Sequence, residues 1–258
     1  MKEIFYKYQG TGNDFVMIDN RKGQFLKNNS KRIADICNRR FGVGADGWIL
    51  LENDSHTDFK MVYYNSDGKE GSMCGNGGRC IVAFAHFLGI IKNKTEFMAV
   101  DGLHKATIDE QVVSLKMLDV HEINEKSSAI FMNTGSPHHV QLVDGLKKFD
   151  VVKEGARLRY GVYGEKGSNI NFVEPNQSQG FDIRTYERGV EDETLSCGTG
   201  VTAVAVGMHY LGKVSNTIVP IKALGGNLEV SFEEQSGVYS NIYLKGEAKQ
   251  VFKGELTW

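Results

Sequence analysis

The stretch SMCGNGGRCIVAFAHFLG at residues 72–89 returns 123 positions later as LSCGTGVTAVAVGMHYLG at residues 195–212. In this register Cys74 falls on Cys197, and two of the glycines that follow each cysteine also coincide. A histidine and a closing glycine coincide again near the end of both stretches. The sequence therefore predicts that one element, a cysteine in a glycine-rich turn followed by an apolar helix, occurs twice in the chain.

The length of the chain, 258 residues, and the offset of the repeat predict two related halves. We place the first half at 1–122, which carries Cys74, and the second at 123–248, which carries Cys197. The last strand, at 249–258, can return to the first half. The two halves are expected to share one architecture.

Short runs of β-branched and aromatic residues between turn signals predict strands in both halves. The central segments 79–88 and 201–211 are apolar on nearly every face, which is typical of a buried helix. A further helix is expected over 31–39, with Ser30 as its N-cap. The predicted fold class is α/β (α+β), with two pseudo-symmetric domains, each a curved, mostly antiparallel sheet wrapped around a central helix.

The composition is ordinary for a globular protein, with 41% hydrophobic and 24% charged residues. A net charge of −2 gives no reason to expect nucleic acid or a membrane as partner. The N-terminus has no secretory apolar segment, and four cysteines in a chain of this length do not predict a disulfide framework. We expect reduced thiols and a cytoplasmic location. No cysteine or histidine spacing matches a zinc site, so no metal is predicted.

Each repeated cysteine stands at the N-terminus of a predicted helix, where the first backbone N–H groups have no intrahelical partner. The helix dipole adds about half a positive charge there, and glycines let the backbone approach a ligand closely. Such a helix end binds anions without a cationic side chain, and it lowers the pKa of a thiol from about 8.5 to between about 3.5 and 7.5. Each half therefore offers a reactive thiol beside a binding site for a carboxylate or a phosphate.

If the halves pack around a pseudo-two-fold axis, the thiols of Cys74 and Cys197 flank one small anionic ligand. That arrangement suits inversion of a carbon next to a carboxylate, because one thiolate can remove a hydrogen while the other thiol delivers one to the opposite face. Two alternatives stay open at this point, a redox disulfide between the two cysteines and a purely structural role. Cys37 and Cys80 lie on apolar helical positions and are predicted to belong to the core.

Several motifs resemble those of the diaminopimelate epimerase family, in the right order over nearly the whole chain. They are GTGNDF at 10–15, FGVGADG at 41–47, NSDGKEGSMCGNGGRC at 65–80, GSPHHV at 135–140, GSNINFVE at 167–174 and YERGVEDETLSCGTG at 186–200. The resemblance implies a cofactor-independent epimerase that interconverts LL- and meso-diaminopimelate, in lysine and cell-wall precursor biosynthesis. It also implies a fold of two mirrored halves, a small amino-acid substrate and a homodimer.

Carried over residue by residue, the resemblance implies that Cys74 and Cys197 are the acid/base thiols and that His138 and Glu187 poise them. Glu187 is counted with the substrate-binding residues as well. The residues implied to bind the reacting α-carboxylate are Gly75, Asn76, Gly198 and Thr199. Those implied to hold the far end of the amino acid are Asn13, Asn65, Asn169 and Arg188.

Two departures from the family pattern concern substrate contacts. Ser136 stands where the family usually has asparagine, and Gly47 stands where many members have glutamine or a larger polar residue. Two other functions remain to be tested against the epimerase. One is a non-catalytic or redox-sensing binding protein, and the other is the same chemistry on a different amino acid.

Overall fold

The computed structural model describes residues 2–25, 29–71 and 73–257. Some positions of the predicted elements lie outside the described residues. They are 1 and 26–28 of the predicted first half, 72 of the glycine-rich loop and 258 of the predicted last strand. The chain divides into two compact units, Met1–Leu115 with Glu247–Trp258, and Lys116–Gly246. The predicted domain limits, 1–122 and 123–248, differ in detail from these units and stay a prediction.

Strands dominate both units, and four α-helices accompany them in the described residues. The elements that begin before residue 116 are β1 (Lys2–Gly10), β2 (Asn13–Asp19), α1 (Ser30–Cys37), β3 (Gly47–Glu52), β4 (Phe59–Asn65), α2 (Gly75–Phe87), β5 (Lys94–Ala99), β6 (Gly102–Asp109) and β7 (Val112–Lys116). The later ones are β8 (Ile123–Lys126), β9 (Ala129–Asn133), β10 (Pro137–Leu142), a 3₁₀ turn (Leu146–Lys148), α3 (Val151–Gly161), β11 (Asn169–Pro175), β12 (Phe181–Glu187), β13 (Asp192–Thr194), α4 (Gly198–Tyr210), β14 (Ile218–Ala223), β15 (Gly226–Gln235), β16 (Val238–Glu247) and β17 (Lys249–Thr257).

The two units repeat one pattern of strand pairing. Neighbouring strands follow the order β17–β1–β2–β3–β4–β5–β6–β7 in the first unit. In the second unit the order is β8–β9–β10–β11–β12–β14–β15–β16. Taken in these orders, the pairs of both units run antiparallel, antiparallel, parallel, antiparallel, parallel, antiparallel and antiparallel. This match confirms the predicted fold class of two pseudo-symmetric, mostly antiparallel sheets.

The central helices α2 and α4 are the repeated elements. Each is 13 residues long, and both their first and their last residues are 123 positions apart. Most of their side chains are buried against the strands of their own unit, as the apolar faces predict. Both helices begin several residues before the predicted starts at 79 and 201, because the cysteine carbonyl already accepts the first helical hydrogen bond. The bonds run from Gly78 N to Cys74 O, 2.8 Å, and from Val201 N to Cys197 O, 2.9 Å.

The other two helices depart from the sequence expectations. Asn29, not Ser30, caps α1, because its side-chain oxygen accepts a hydrogen bond from the backbone N–H of Arg32 at 3.0 Å. Helix α3 was not predicted from the sequence. It covers a cluster of buried side chains that includes Ile170 and Phe172 of β11. No helix within the described residues is long and apolar enough to cross a membrane.

Candidate active site

Cys74 is the N-cap of α2, with extended backbone angles of φ −105° and ψ 151°. Its Sγ atom accepts a hydrogen bond from the backbone N–H of Gly77 at 3.2 Å. A Cβ atom at Gly77 would lie only 3.3 Å from the same sulfur, so the glycine leaves room for the thiol. The structure therefore places the first predicted thiol at a helix N-terminus, where an N–H donor stabilises its ionised form.

Asn13 and Asn76 lie beside this thiol. Asn13 Nδ2 donates to a carboxylate oxygen of Asp46 at 2.7 Å, so Asn13 Oδ1 points away from Asp46. That oxygen accepts from Asn76 Nδ2 at 3.2 Å and lies 4.0 Å from Cys74 Sγ. Two residues implied to bind substrate are thus hydrogen-bonded to each other within reach of the proposed acid/base sulfur.

A charged network behind Asn13 joins the two glycine motifs at 10–15 and 41–47. Arg39 donates to Asp14 at 2.7 Å and to Asp46 at 2.6 Å, and Lys7 Nζ lies 2.7 Å from Asp14. Burial raises the pKa of Asp14, but hydrogen bonds from Arg39 and Lys7 outweigh it and lower the pKa to about 2. Asp14 is therefore ionised at any ordinary pH and keeps its ion pairs with Arg39 and Lys7.

Asn65 is the exposed last residue of β4, and the residue two positions earlier on the same face is Tyr63. The aromatic ring of Tyr63 occupies the space that a side chain at Gly47 would need, because a Cβ there would lie 2.5 Å from Tyr63 Cε2. A Cβ at Gly71 would lie 2.9 Å from the same ring and 3.0 Å from Asn65 Nδ2. The departure at position 47 is thus matched by a tyrosine ring next to a predicted substrate ligand.

Arg79 is a site residue that sequence reasoning missed. It is 0% exposed, and its guanidinium donates to Asn76 Oδ1 at 3.0 Å, to Thr11 Oγ1 at 3.1 Å and to the carbonyl of Gly75 at 3.2 Å. Two of these acceptors belong to residues implied to bind the α-carboxylate. The available signal was a lone cation in a helix that is otherwise apolar on nearly every face.

Cys197 is the N-cap of α4 and is 9% exposed. Its Sγ lies 3.5 Å from the hydroxyl oxygen of Thr199. The same hydroxyl oxygen lies 2.8 Å from His138 Nε2. The structure thus connects three predicted residues, because the hydroxyl of Thr199 contacts both the imidazole and the thiol.

Asn171, which the sequence analysis did not single out, fixes the protonation of this imidazole. Its Nδ2 donates to the backbone carbonyl of His139 at 2.8 Å, and a carbonyl can only accept. The same Nδ2 donates to His138 Nδ1 at 3.1 Å. Because Nδ1 accepts this bond, the proton of the neutral ring is on Nε2 and is donated to Thr199. A Cβ at Gly200 would lie 2.5 Å from Asn171 Oδ1, so that position of the Cys-Gly-x-Gly motif requires glycine.

His138 is fully buried and carries no charge at neutral pH. Burial and, to a smaller extent, the nearby positive charge of Arg188 together lower the pKa of His138 to about 3. The ring therefore acts as a fixed hydrogen-bond donor. It does not act as a proton carrier between the thiol and solvent.

The remaining predicted residues lie in the same unit as Cys197. Asn169 donates to Ser136 Oγ at 3.0 Å and accepts from the backbone N–H of Arg188 at 2.9 Å. The exposed Arg188 guanidinium reaches Ser136 Oγ at 3.5 Å and donates to the carbonyl of Lys166 at 3.0 Å. Ser136, a departure from the family pattern, is thus the point where two predicted far-end ligands meet. Glu187 accepts a hydrogen bond from Thr194 Oγ1 at 2.8 Å.

Cys37 and Cys80 are buried, which confirms that they belong to the core. Burial raises the pKa of Cys37 to about 12 and also raises that of Cys80. Both side chains therefore stay protonated and unreactive. The two repeated cysteines are the candidates for chemistry.

Comparison with known proteins agrees with the motifs. The sequence profile described as diaminopimelate epimerase matches residues 5–117 and 130–251. The diaminopimelate epimerase of Flavobacterium psychrophilum is 60% identical over 250 residues, covering 96% of this chain and 98% of the relative. The diaminopimelate epimerase of Chlorobaculum tepidum is 42% identical over 258 residues, covering 96% of this chain and 99% of the relative.

Solved structures with the same fold are distant in sequence. A phenazine biosynthesis protein of the PhzF family from Bacillus anthracis superposes with a TM-score of 0.80 at 12% identity, over 100% of both chains. A hydroxyproline epimerase from Agrobacterium vitis, solved with bound trans-4-hydroxy-L-proline, gives a TM-score of 0.71 at 14% identity, over 99% of this chain and 92% of its own. At this identity the two structures establish the fold alone.

Proposed function

This chain belongs to the diaminopimelate epimerase family and catalyses the interconversion of LL- and meso-diaminopimelate, and we propose that Cys74 and Cys197 carry out the inversion as an acid/base pair. The observation that carries the proposal is the repeat itself. Each cysteine is the N-cap of a buried 13-residue helix, whereas Cys37 and Cys80 lie within helices α1 and α2. The reaction belongs to lysine biosynthesis.

In the proposed reaction one sulfur, as a thiolate, removes the hydrogen from the α-carbon as a proton. The electron pair left on carbon is delocalised into the α-carboxylate. The other sulfur, as a thiol, then gives its proton to the opposite face of the same carbon. The first sulfur ends as a thiol and the second as a thiolate, so the reverse reaction uses the same groups in exchanged roles.

The α-carboxylate is proposed to bind the backbone N–H groups at the starts of α2 and α4. The residues concerned are Gly75, Asn76, Gly198 and Thr199. These donors and the helix dipoles stabilise the negative charge that the carboxylate gains as the proton leaves. A proton is hard to remove from such a carbon without this stabilisation.

His138 is proposed to act on Cys197 through Thr199. Because the hydroxyl oxygen accepts a bond from His138, the hydroxyl can donate its own proton to the Cys197 thiolate and accept from the Cys197 thiol. It therefore supports both protonation states that the reaction needs. The role of Glu187 as a further group that poises this thiol rests on the family motif.

The far end of the substrate is proposed to bind three amides and one arginine, namely Asn13, Asn65, Asn169 and Arg188. Glu187, next to this arginine, is counted with them. Diaminopimelate carries a second ammonium and a second carboxylate, and a planar guanidinium binds a carboxylate through two parallel bonds. We also propose a cytoplasmic homodimer, which is supported by the expected reduced thiols and by the family resemblance.

Two thiol variants test the proposal. Cys74→Ala and Cys197→Ala should each lower epimerase activity by at least about 10²-fold, since each removes one general acid/base group. Activity is measured with LL-diaminopimelate and reductant, by chiral separation of the isomers and by incorporation of deuterium from D₂O at the α-carbon. The buried thiols supply matched controls, because Cys37→Ala and Cys80→Ala should change stability and leave turnover near that of the parent.

The outcomes separate the proposal from its alternatives. A single alanine variant that keeps near-full activity would show that the two-thiol mechanism is wrong. A non-catalytic redox protein would exchange no α-hydrogen at all in the presence of reductant. Equal rates on lysine and on LL-diaminopimelate would leave the thiol chemistry in place and overturn the proposed far-end ligands.

A further inference from the structure

One position of the repeat carries a buried charge in the first copy and a neutral side chain in the second. The offset of 123 places Arg79 on Thr202. Both side chains donate to the carbonyl of the first residue of their helix, Arg79 Nη1 to Gly75 O at 3.2 Å and Thr202 Oγ1 to Gly198 O at 3.0 Å. The same hydrogen bond is thus donated by a cation in one unit and by a neutral hydroxyl in the other.

Arg79 keeps its charge although no carboxylate of the described residues bonds to it. Burial lowers the pKa of Arg79, but a guanidinium whose ordinary pKa is above about 12 stays protonated. All three of its hydrogen-bond acceptors are neutral, and its Nε has no partner within the described residues. A buried cation without an anion is costly by several kcal/mol, which indicates that an anion belongs near it in the working enzyme.

Among the described residues, the thiols of Cys80 and Cys74 would act on this cation if they ionised. Cys80 is fully buried and stays protonated, since burial raises its pKa. Cys74 is partly exposed and its sulfur already accepts the N–H of Gly77. Of the two, Cys74 is the thiol that can supply the missing negative charge.

The guanidinium also acts on the proposed carboxylate donors. Its bond to the carbonyl of Gly75 polarises the peptide group whose N–H belongs to Asn76, and its bond to Asn76 Oδ1 polarises that side-chain amide. In a low-dielectric interior, bonds in such a chain strengthen one another. Both effects make the start of α2 a more positive anion site than the start of α4.

We propose that Arg79 is a positioning residue that makes Cys74 the thiol that ionises first, so that the resting enzyme holds a Cys74 thiolate and a Cys197 thiol. The proposal rests on the acid/base roles proposed above for these two cysteines. It means that one substrate isomer meets an enzyme already in the protonation state its conversion needs. The other isomer requires the proton to be exchanged first.

The test measures the rate of alkylation by iodoacetamide at Cys74 and at Cys197 as a function of pH, without substrate. Peptide mass spectrometry resolves the two sites, and each rate profile gives the pH at which half of that thiol is ionised. In the parent, the midpoint of Cys74 should lie at least about one pH unit below that of Cys197, because a positive charge that acts on a thiol favours its ionised form.

Arg79→Met should raise the midpoint of Cys74 by about one to two units and leave that of Cys197 unchanged. Arg79→Lys, which restores a positive charge, should return the midpoint most of the way to the parent value. Thr202→Val is the matched control from the other repeat, and it should leave the midpoint of Cys74 where it is. A loss of packing alone would not produce rescue by charge.

Three results would overturn the proposal. They are a parent midpoint for Cys74 at or above that of Cys197, a folded Arg79→Met protein with an unmoved midpoint, and an Arg79→Lys protein that behaves like Arg79→Met. The first result needs no variant, so it decides the matter even if Arg79→Met does not fold. Failure of the two-thiol mechanism is seen separately, as epimerase activity that survives Cys74→Ala.

Discussion

Replacing Thr199 by valine removes one hydroxyl group and keeps the branched shape of the side chain. The hydroxyl lies between His138 Nε2 at 2.8 Å and Cys197 Sγ at 3.5 Å, so the change breaks the path from the imidazole to the thiol. The backbone carbonyl of Thr199, which accepts from Thr134 Oγ1 at 2.8 Å, is not altered. Thr199→Val therefore tests whether His138 acts through this hydroxyl.

A hydrogen bond to a charged group contributes about 1.5–3 kcal/mol, and each 1.36 kcal/mol is a factor of about ten in rate. The sulfur–oxygen distance of 3.5 Å is long, so we expect the lower end of this range, a loss of about tenfold in kcat/KM. The variant also leaves the Nε2–H of the buried His138 without its acceptor, which should lower the free energy of unfolding by about 1–3 kcal/mol.

The assay measures kcat/KM in both directions, from LL- to meso-diaminopimelate and back. Both values must fall by the same factor, because the equilibrium constant between the isomers does not depend on the enzyme. Thr199→Ser keeps the hydroxyl and is the matched control, so it should stay near the parent. If Thr199→Val and Thr199→Ser have equal activity, the hydroxyl does not link His138 to the reacting thiol and the reasoning is refuted.

Three other results are expected. Arg188→Lys should lower kcat/KM for LL-diaminopimelate by at least about tenfold, since lysine lacks the planar fork, and unchanged kinetics would show that Arg188 does not bind the far end. The native pKa of His138, about 3, lies below its unfolded value of about 6.5, so the unfolded state binds an extra proton between these pH values. Urea unfolding should therefore show stability that is complete above about pH 6.5 and falls by up to about 1.4 kcal/mol per unit towards pH 3, with a smaller slope in His138→Gln. Gly200→Ala should lose both stability and activity, because the new Cβ would lie 2.5 Å from Asn171 Oδ1, and a thermal melt like that of the parent would contradict this.

The repeat could be predicted from the sequence because its positions carry strict backbone requirements. Gly200 must admit an amide oxygen, and Gly77 must admit a sulfur, so these residues stay recognisable in both copies. The starts of the two helices could not be placed as well. Glycine has a low intrinsic helix propensity, so the sequence pattern predicts that the helices begin after the glycine runs. In the structure, capping by the cysteines and burial in the sheets outweigh that propensity.

The roles of Arg79 and Asn171 could not be predicted from the sequence. Arg79 owes its role to Thr11, which is 68 positions away, and Asn171 owes its role to His138, 33 positions away. Neither has a local pattern that marks it, because an arginine in a helix and an asparagine in a strand are ordinary residues. Their function depends on tertiary contacts that complete burial makes obligatory, since a buried polar group must find a partner.

Inversion by two thiols requires that one sulfur has lost its proton while the other keeps it. Two identical half-sites that titrate independently reach that mixed state in at most about half of the molecules, and then as two equally populated forms. If the ionisation midpoints are two pH units apart, about four fifths of the molecules hold one mixed form at a pH midway between them. A duplicated site therefore works better once its copies diverge around the repeated cysteines. The contrast between Arg79 and Thr202 is a divergence of that kind, because it changes the charge beside one thiol and keeps the hydrogen bond that both helices need.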